Sequence, residues 1–184
     1  MTLLVLVPMR IEALALGARP GRRVLRTGMG PERARIAAAR ALAIEADAVV
    51  VAGVCGAAAA GLEPGDVVVA TELRRDGADP APAGATAVDA LEARGLRVHA
   101  GPIFSTERIT SPAERRALAA QGVLAVDMES AWLAAGAAGR PLTVVRVVVE
   151  TADRRLADPR TPAAGIRALR NLRRAGDALS KVAP

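Results

Sequence analysis

The chain alternates short runs of β-branched apolar residues with longer segments in which Ala, Leu and Arg recur at helical spacing. This alternation is typical of an α/β domain whose helices cover both faces of a central sheet. Strands buried on both faces are continuously apolar, as most of these runs are. We therefore predict a three-layer α/β domain with a mixed central sheet, whose strands are Leu3–Val7, Val24–Arg26, Ala48–Ala52, Asp66–Thr71, Val98–Phe104, Val123–Val126 and Thr143–Val149.

Three helix starts are marked by capping residues. Pro31 opens a helix predicted to run to Ala46, Ser111-Pro112-Ala113-Glu114 combines an N-cap, a first-turn Pro and an acid at N3, and Thr161-Pro162 begins a C-terminal helix. The stretch Arg74–Thr86 collects Pro, Gly and Asp without periodicity, so we predict a loop there and a candidate mobile lid.

The length of 184 residues fits one domain, residues 1–184. Hydrophobic residues make up 52% of the chain and charged residues 24%, which excludes global disorder. No apolar stretch reaches the roughly 18 residues of a spanning helix, and the run Leu3–Val7 is too short for the core of a signal peptide. We expect a cytoplasmic protein with no membrane span.

The net charge of +6 raises the question of a polyanionic partner. The basic residues are Arg apart from Lys181, and they alternate with Ala, Leu and Glu along helical segments instead of forming one basic arm. The aromatic residues are Phe104 and Trp132, so a base-stacking platform is excluded. This pattern favours an Arg-rich solvated surface and no nucleic-acid partner.

Cys55 is the only cysteine, so it cannot form an internal disulfide, and its apolar setting indicates a buried thiol. The only histidine, His99, lies within a predicted strand, which leaves Cys55 without a basic partner for covalent catalysis. One His and one Cys give no metal-ligand spacing, so we predict no metal site.

Two glycine clusters lie where strands end. Gly28 and Gly30 follow a strand and open a helix, which is typical of an anion-binding turn, although an ordinary tight turn fits as well because the full dinucleotide pattern is absent. Gly53, Val54, Cys55 and Gly56 form a second turn after the strongest strand, at the sheet edge where α/β proteins bind ligands. Close packing of a helix on the strand is the alternative there.

Three carboxylates also follow predicted strands. Glu12 lies just past the first strand, Glu129 follows Val123–Met128, and Glu150 ends the last apolar run. Each fits a helix cap or an ion pair with Arg, but their shared placement at strand ends favours a common site.

Five segments, in order, resemble the nucleoside phosphorylase and nucleosidase superfamily, which includes methylthioadenosine/S-adenosylhomocysteine nucleosidase and futalosine hydrolase. They are PMRIEA, RTGMGPERA, VAGVCGAAAAGLEPGDVVVATEL, AVDMES and VVRVVVETAD. The nearest branch is that of short hopanoid-associated proteins similar to adenosylhopane phosphorylase. The resemblance implies an enzyme that cleaves the N-ribosyl bond of a purine nucleoside of adenosyl type without a metal or organic cofactor. It also implies a homo-oligomer, most simply a dimer.

Breaking a ribosyl C1′–N bond creates an oxocarbenium-like centre and needs a protonated leaving base. By resemblance, Glu12 orients or deprotonates the attacking water, and Glu129 accepts hydrogen bonds from the ribose 2′- and 3′-hydroxyls while Met128 packs against the sugar. Glu150 stands where the family has an Asp that protonates purine N7.

The resemblance also places the segment Gly53–Gly56 against the nucleoside, with Val54 where the family often has Ser. The purine-stacking aromatic of the family falls near Arg108 or Ile109, and we take Ile109 as the substrate-binding residue. A less enclosed pocket with different base recognition is implied.

We predict water as the favoured nucleophile, with phosphate as the alternative. Glu12 favours hydrolysis, whereas Arg10, Gly28, Gly30 and Arg108 form a possible phosphate-binding set for phosphorolysis. Two further readings belong to other classes: a nucleoside-binding protein without turnover, and a nicotinamide-dependent oxidoreductase that uses the first glycine turn.

Overall fold

The computed structural model describes residues 1–153 and 161–179. Its strands form one mixed sheet: β1 Leu3–Val7, β2 Arg22–Arg26, β3 Ala48–Ala57, β4 Val67–Arg74, β5 Ala81–Pro82, β6 Val98–Ser105, β7 Ala125–Asp127 and β8 Leu142–Glu150. The helices are α1 Arg10–Leu16, α2 Pro31–Leu42, α3 Val88–Glu92, α4 Pro112–Ala119, α5 Ser130–Leu133 and α6 Thr161–Leu179, with a 3₁₀ turn at Ala134–Ala137.

The strand order is β2-β1-β3-β7-β6-β4-β5, and β8 pairs with both β3 and β4. Strands β1, β2, β3 and β8 run parallel, whereas β8 is antiparallel to β4 and β7 is antiparallel to β3. Since β4 also pairs with β6 and β6 with β7, the strands β3, β8, β4, β6 and β7 close into a ring. This ring brings the ends of β3, β7 and β8 together.

Alternate residues of the central strands enter two separate apolar clusters. Val49 and Val51 of β3 pack in the cluster that includes Trp132 of α5, whereas Val50 packs in the cluster that includes Leu172 of α6. The sheet is thus covered by helices on both faces, which confirms the predicted layered α/β domain.

The predicted helix starts are present. Ser111 Oγ accepts a hydrogen bond from the Glu114 backbone N–H at 3.3 Å, and Glu114 Oε2 accepts one from the Ser111 N–H at 2.7 Å, forming a capping box. Helices α2 and α6 begin at Pro31 and Thr161 as predicted. None of the helices in the described ranges is long and apolar enough to cross a membrane.

Several boundaries differ from the prediction. The helix from Pro31 ends at Leu42 instead of Ala46, and β5 pairs with β4 inside the predicted loop Arg74–Thr86. The segment Gly53–Gly56 is not a turn, because β3 continues through it to Ala57 and pairs there with β8 and β7. Hydrogen bonding to two neighbours outweighs the low strand propensity of glycine.

The pairing of β3 with β8 shifts register at its end. Cys55 lies opposite Val148, but Gly56 lies opposite Glu150. Val149 is therefore an extra residue on β8, as in a β-bulge.

Candidate active site

A cavity of about 150 Å³ lies where β1, β3, β7 and β8 end. It brings together most of the residues predicted to form the site: Glu12, Val54, Cys55, Gly56, Arg108, Ile109, Met128, Glu129 and Glu150. Gly53, Arg10, Gly28 and Gly30 do not line it. We call it the nucleoside cavity, after the ligand that the sequence predicts.

One end of the cavity is organised around Arg146, in the middle of β8. Its side chain is fully buried, its Nε lies 2.8 Å from Asp127 Oδ2, and its Nη2 lies 3.6 Å from Glu129 Oε2. Both nitrogens also donate to Ser130 Oγ, at 3.0 and 2.9 Å. Burial lowers the pKa of Arg146, but Asp127 and the nearby glutamates outweigh it and raise the pKa, so the guanidinium stays charged. We call these residues, together with Glu12, the Arg146 cluster.

Glu12 is held in this cluster by backbone donors. It lies in the first turn of α1, its Oε2 accepts from the Met9 N–H at 2.7 Å, and its Oε1 accepts from the Val54 N–H at 2.8 Å. Burial raises the pKa of Glu12, while Arg146 opposes the rise. A buried carboxylate with a raised pKa is suited to accept a proton from water near neutral pH.

Glu129 is oriented by the first glycine turn. Its Oε1 accepts from the Gly30 N–H at 2.9 Å, and burial raises its pKa against the opposing effect of Arg146. The Gly28 N–H donates to Pro8 O at 3.1 Å. Both amides in the predicted phosphate-binding set therefore already have partners within the protein.

Gly53 lies behind the Arg146 cluster instead of lining the cavity. A Cβ at this position would sit 2.7 Å from Glu12 Oε1 and would also collide with the Arg146 guanidinium. Glycine is required here because the carboxylate of Glu12 and the guanidinium of Arg146 pack directly against the backbone of β3.

Glu150 also lines the cavity, lies against β3 at Gly56, and pairs with Arg115, which lies outside the lining; we call the two residues the Glu150 pair. Arg115 Nη2 lies 2.6 Å from Glu150 Oε1, and both side chains are buried. Glu150 Oε2 has no hydrogen-bond partner in the described part of the chain. Burial raises the pKa of Glu150, whereas Arg115 lowers it. Arg154 and Arg155, which the sequence places one turn beyond Glu150 as alternative partners, lie outside the described residues.

Gly56 leaves room for the Glu150 pair, just as Gly53 leaves room for the Arg146 cluster. A Cβ on Gly56 would lie 3.0 Å from Glu150 Oε1, so the missing side chain makes room for the carboxylate. Helix packing on the strand does not explain either glycine.

The remaining walls of the cavity are mainly apolar. Burial raises the pKa of the Cys55 thiol, so Cys55 is a neutral wall residue and not a nucleophile. Ile109 is 62% exposed at the cavity rim, and Arg108 pairs with Glu114. No aromatic side chain is among the lining residues of this cavity, in line with the expected change in base recognition.

The sequence analysis did not single out Arg146, Asp127 or Arg115. The sequence does contain a signal for Arg146. A charged residue in the middle of the apolar run VVRVVVE must be paired when the strand is buried. Arg115 has none, because it stands beside Arg116 in a helix and nothing local separates the two.

In residues 1–153 and 161–179, no group of three or more His, Cys, Asp or Glu side chains is placed to hold a metal ion.

Solved structures with the same fold include 5′-methylthioadenosine/S-adenosylhomocysteine nucleosidase from Neisseria meningitidis in complex with methylthio-immucillin-A. Its TM-score is 0.84 at 22% identity, over 98% of this chain and 99% of that chain. The corresponding nucleosidase from S. pneumoniae has a TM-score of 0.77 at 21% identity, over 97% and 100%. Futalosine hydrolase of Helicobacter pylori has a TM-score of 0.79 at 17% identity, over 97% and 95%.

No curated protein sequence matches the chain. Residues 20–183 match the Phosphorylase superfamily, which is most of the chain. The predicted family and the predicted enzyme class, nucleosidase or nucleoside phosphorylase, are thereby confirmed. The chain belongs to the Phosphorylase superfamily.

Proposed function

We propose that the protein hydrolyses the N-ribosyl bond of an adenosine-type nucleoside. The observation that carries this proposal is that Glu12, Glu129 and Glu150 line a single cavity, in which Glu12 lies against β3 at Gly53 and Glu150 lies against it three residues further on, at Gly56. A nucleoside needs protein groups at two separate positions, because its sugar and its base require different partners. The named substrates of the structural relatives, which are adenosine derivatives, support the choice of base.

Glu129 binds the ribose hydroxyls in this proposal. Each carboxylate oxygen has two lone pairs, and only Oε1 accepts a backbone hydrogen bond, from Gly30. Capacity therefore remains for two hydroxyl donors. Met128 lines the same cavity and packs against the sugar.

Glu12 and Glu150 move the protons. The water oxygen bonds to C1′ as the C1′–N9 bond breaks, and the bonding electron pair leaves with the purine. Glu12 takes the proton released by the water, and Glu150 delivers a proton to N7 of the base. Burial favours this because it raises the pKa of both carboxyl groups.

The charge of the Arg146 cluster favours water over phosphate. Glu12, Asp127 and Glu129 place three carboxylates around one guanidinium, and a phosphate dianion beside them would be repelled. Of the residues considered for phosphate, Arg108 is paired with Glu114 and Arg10 lines a different cavity. Phosphorolysis of the same bond, as in adenosylhopane cleavage, is the alternative that the assay must separate.

The test is product analysis with adenosine, 5′-methylthioadenosine and S-adenosylhomocysteine, with and without inorganic phosphate. We expect free adenine and a free sugar at the same rate in both conditions. Glu12→Gln should abolish release, whereas Glu32→Gln, an exposed control in the first turn of α2, should not. Adenine release that requires phosphate would identify a phosphorylase, and tight nucleoside binding without release would identify a binding protein.

We also propose that the chain forms a homodimer. Ile11 and Leu14 of α1 and Leu42 of α2 are each more than half exposed, which leaves apolar surface to cover. Sedimentation should give twice the monomer mass of 18.8 kDa. A single 18.8 kDa species across a wide concentration range would contradict this.

A further inference from the structure

A second cavity, of about 620 Å³, adjoins the nucleoside cavity and has a different character. Four arginines line it, namely Arg10, Arg26, Arg33 and Arg40, and no acidic residue does. We call it the arginine cavity.

The four arginines come from three elements of the fold, namely α1, β2 and α2. Arg10 begins α1 and Arg26 ends β2, whereas Arg33 and Arg40 lie seven residues apart on one face of α2. All four are exposed, and none takes part in a salt bridge with an acid of residues 1–153 or 161–179.

The first glycine turn is shaped around one of these side chains. Gly28 has a φ of +82°, and a Cβ there would lie 2.7 Å from Cδ of Arg33. The stem of Arg33 therefore lies against the turn, where any larger residue at position 28 would displace it. This contact orients Arg33 at the wall of the arginine cavity.

The two cavities share three lining residues. Pro8, Met9 and Met29 line both of them. Met29 precedes Gly30, whose N–H holds Glu129, the residue that we assign to the ribose hydroxyls. Glu150, which we assign to the base, does not line the arginine cavity.

Four guanidinium groups around one cavity, with no salt bridge to an acid in the described part of the chain, repel each other and attract anions. Guanidinium groups match phosphate oxygens in charge and in hydrogen-bond geometry. A neutral nucleoside would form no ion pair with these arginines. A phosphate on the sugar would extend towards them beside Met9 and Met29, which line both cavities.

We propose that the arginine cavity binds a phosphate group carried on the sugar of the nucleoside, so that the preferred substrate is a phosphorylated adenosine derivative. This rests on the proposed cleavage of a nucleoside in the adjoining cavity. Inorganic phosphate shares the same chemistry, so the experiment has to separate a phosphate on the substrate from a free one.

Binding is measured by calorimetry, because it requires no turnover. The probes are adenosine, adenosine 5′-monophosphate and inorganic phosphate, each with the wild-type protein at low ionic strength. We expect the monophosphate to bind at least tenfold more tightly than adenosine, a ratio that corresponds to about 1.4 kcal/mol. In Arg33→Gln/Arg40→Gln this ratio should fall towards one.

The matched control is Arg23→Gln/Arg116→Gln, which removes the same net charge from two exposed sites outside the arginine cavity. The control should keep the wild-type ratio, which separates local binding from general attraction. Equal affinity for adenosine and its monophosphate would overturn the proposal. Inorganic phosphate that binds in an Arg33- and Arg40-dependent way, without any preference for the monophosphate, would also overturn it, because the anion would then be free.

Adenine release from both probes distinguishes this proposal from the proposed function. If the monophosphate binds through Arg33 and Arg40 but neither probe yields adenine, hydrolysis is wrong and the phosphate site stands. If adenosine is cleaved with a kcat/KM equal to that of the monophosphate, hydrolysis stands and the phosphate site is wrong.

Discussion

Replacing Arg115 by Met should destabilise the protein strongly, because it leaves Glu150 as a buried carboxylate without its cationic partner. The two side chains are 1% and 8% exposed, and their closest atoms are 2.6 Å apart. Breaking a pair of this kind costs about 3–5 kcal/mol. That is a large part of the roughly 5–15 kcal/mol that stabilises a typical domain.

Arg116→Met is the matched control, since it changes the next residue of the same helix. Arg116 pairs with Asp153 at 3.5 Å, but these side chains are 62% and 81% exposed. Exposed pairs contribute about 0–1 kcal/mol, so urea unfolding should show a small change for Arg116→Met and a large one for Arg115→Met.

The loss in Arg115→Met should depend on pH. Without Arg115, burial alone acts on Glu150 and its pKa in the folded state rises further above its value in the unfolded chain. Ionised Glu150 then costs stability at high pH, and the cost disappears as pH falls through the raised pKa and the carboxyl becomes neutral. Unfolding at pH 8 and pH 5 tests this sign.

A double variant tests whether the unpaired Glu150 carboxylate causes the loss of stability. Arg115→Met/Glu150→Leu removes the carboxylate as well, and it should be more stable than Arg115→Met alone because no buried charge remains. The reasoning is refuted if Arg115→Met behaves like Arg116→Met, or if adding Glu150→Leu deepens the loss.

Three further outcomes follow from the site. Glu129→Gln should raise KM and lower kcat/KM while the fold survives, because each charged hydrogen bond to a ribose hydroxyl contributes about 1.5–3 kcal/mol; unchanged kinetics would show that the carboxylate points elsewhere. Gly53→Ala should abolish activity and lower stability, whereas Gly165→Ala, with open space around its Cβ, should be neutral or slightly stabilising in the same unfolding assay. Glu150→Gln should lose activity while Glu150→Asp retains it, and wild-type rates in both would exclude Glu150 as proton donor.

The sequence predicts the layered sheet because hydrophobic periodicity reports directly on burial, and it finds the nucleoside cavity because parallel strands deliver their final residues to one edge. It does not predict that β3 continues through Gly53 and Gly56. Glycine has low strand propensity, and the pairing that overrides it comes from β7 and β8, far along the chain.

The burial of Arg115 cannot be predicted from the sequence, again because it depends on distant parts of the chain. A basic residue in an Arg-rich helix is ordinarily solvated, and Arg115 differs from Arg116 only in facing the end of β8. Burial of such a residue depends on the tertiary position of its helix, which local sequence does not encode. Arg146 is different, because its apolar neighbours in β8 already imply burial.

The extra residue Val149 in β8 gives the acid its position by backbone spacing. Regular pairing would set Val149 opposite Gly56, but the inserted residue sets Glu150 there, where the absent Cβ leaves space for it. Deleting Val149 would restore regular pairing after Cys55 and Val148, so that Glu150 would still lie opposite Gly56 but without the local bend and added twist of the bulge. The bulge also places Val149 in the wall of the cavity beside Glu150, so one inserted residue supplies both an apolar wall and the local backbone course that leads to the acid.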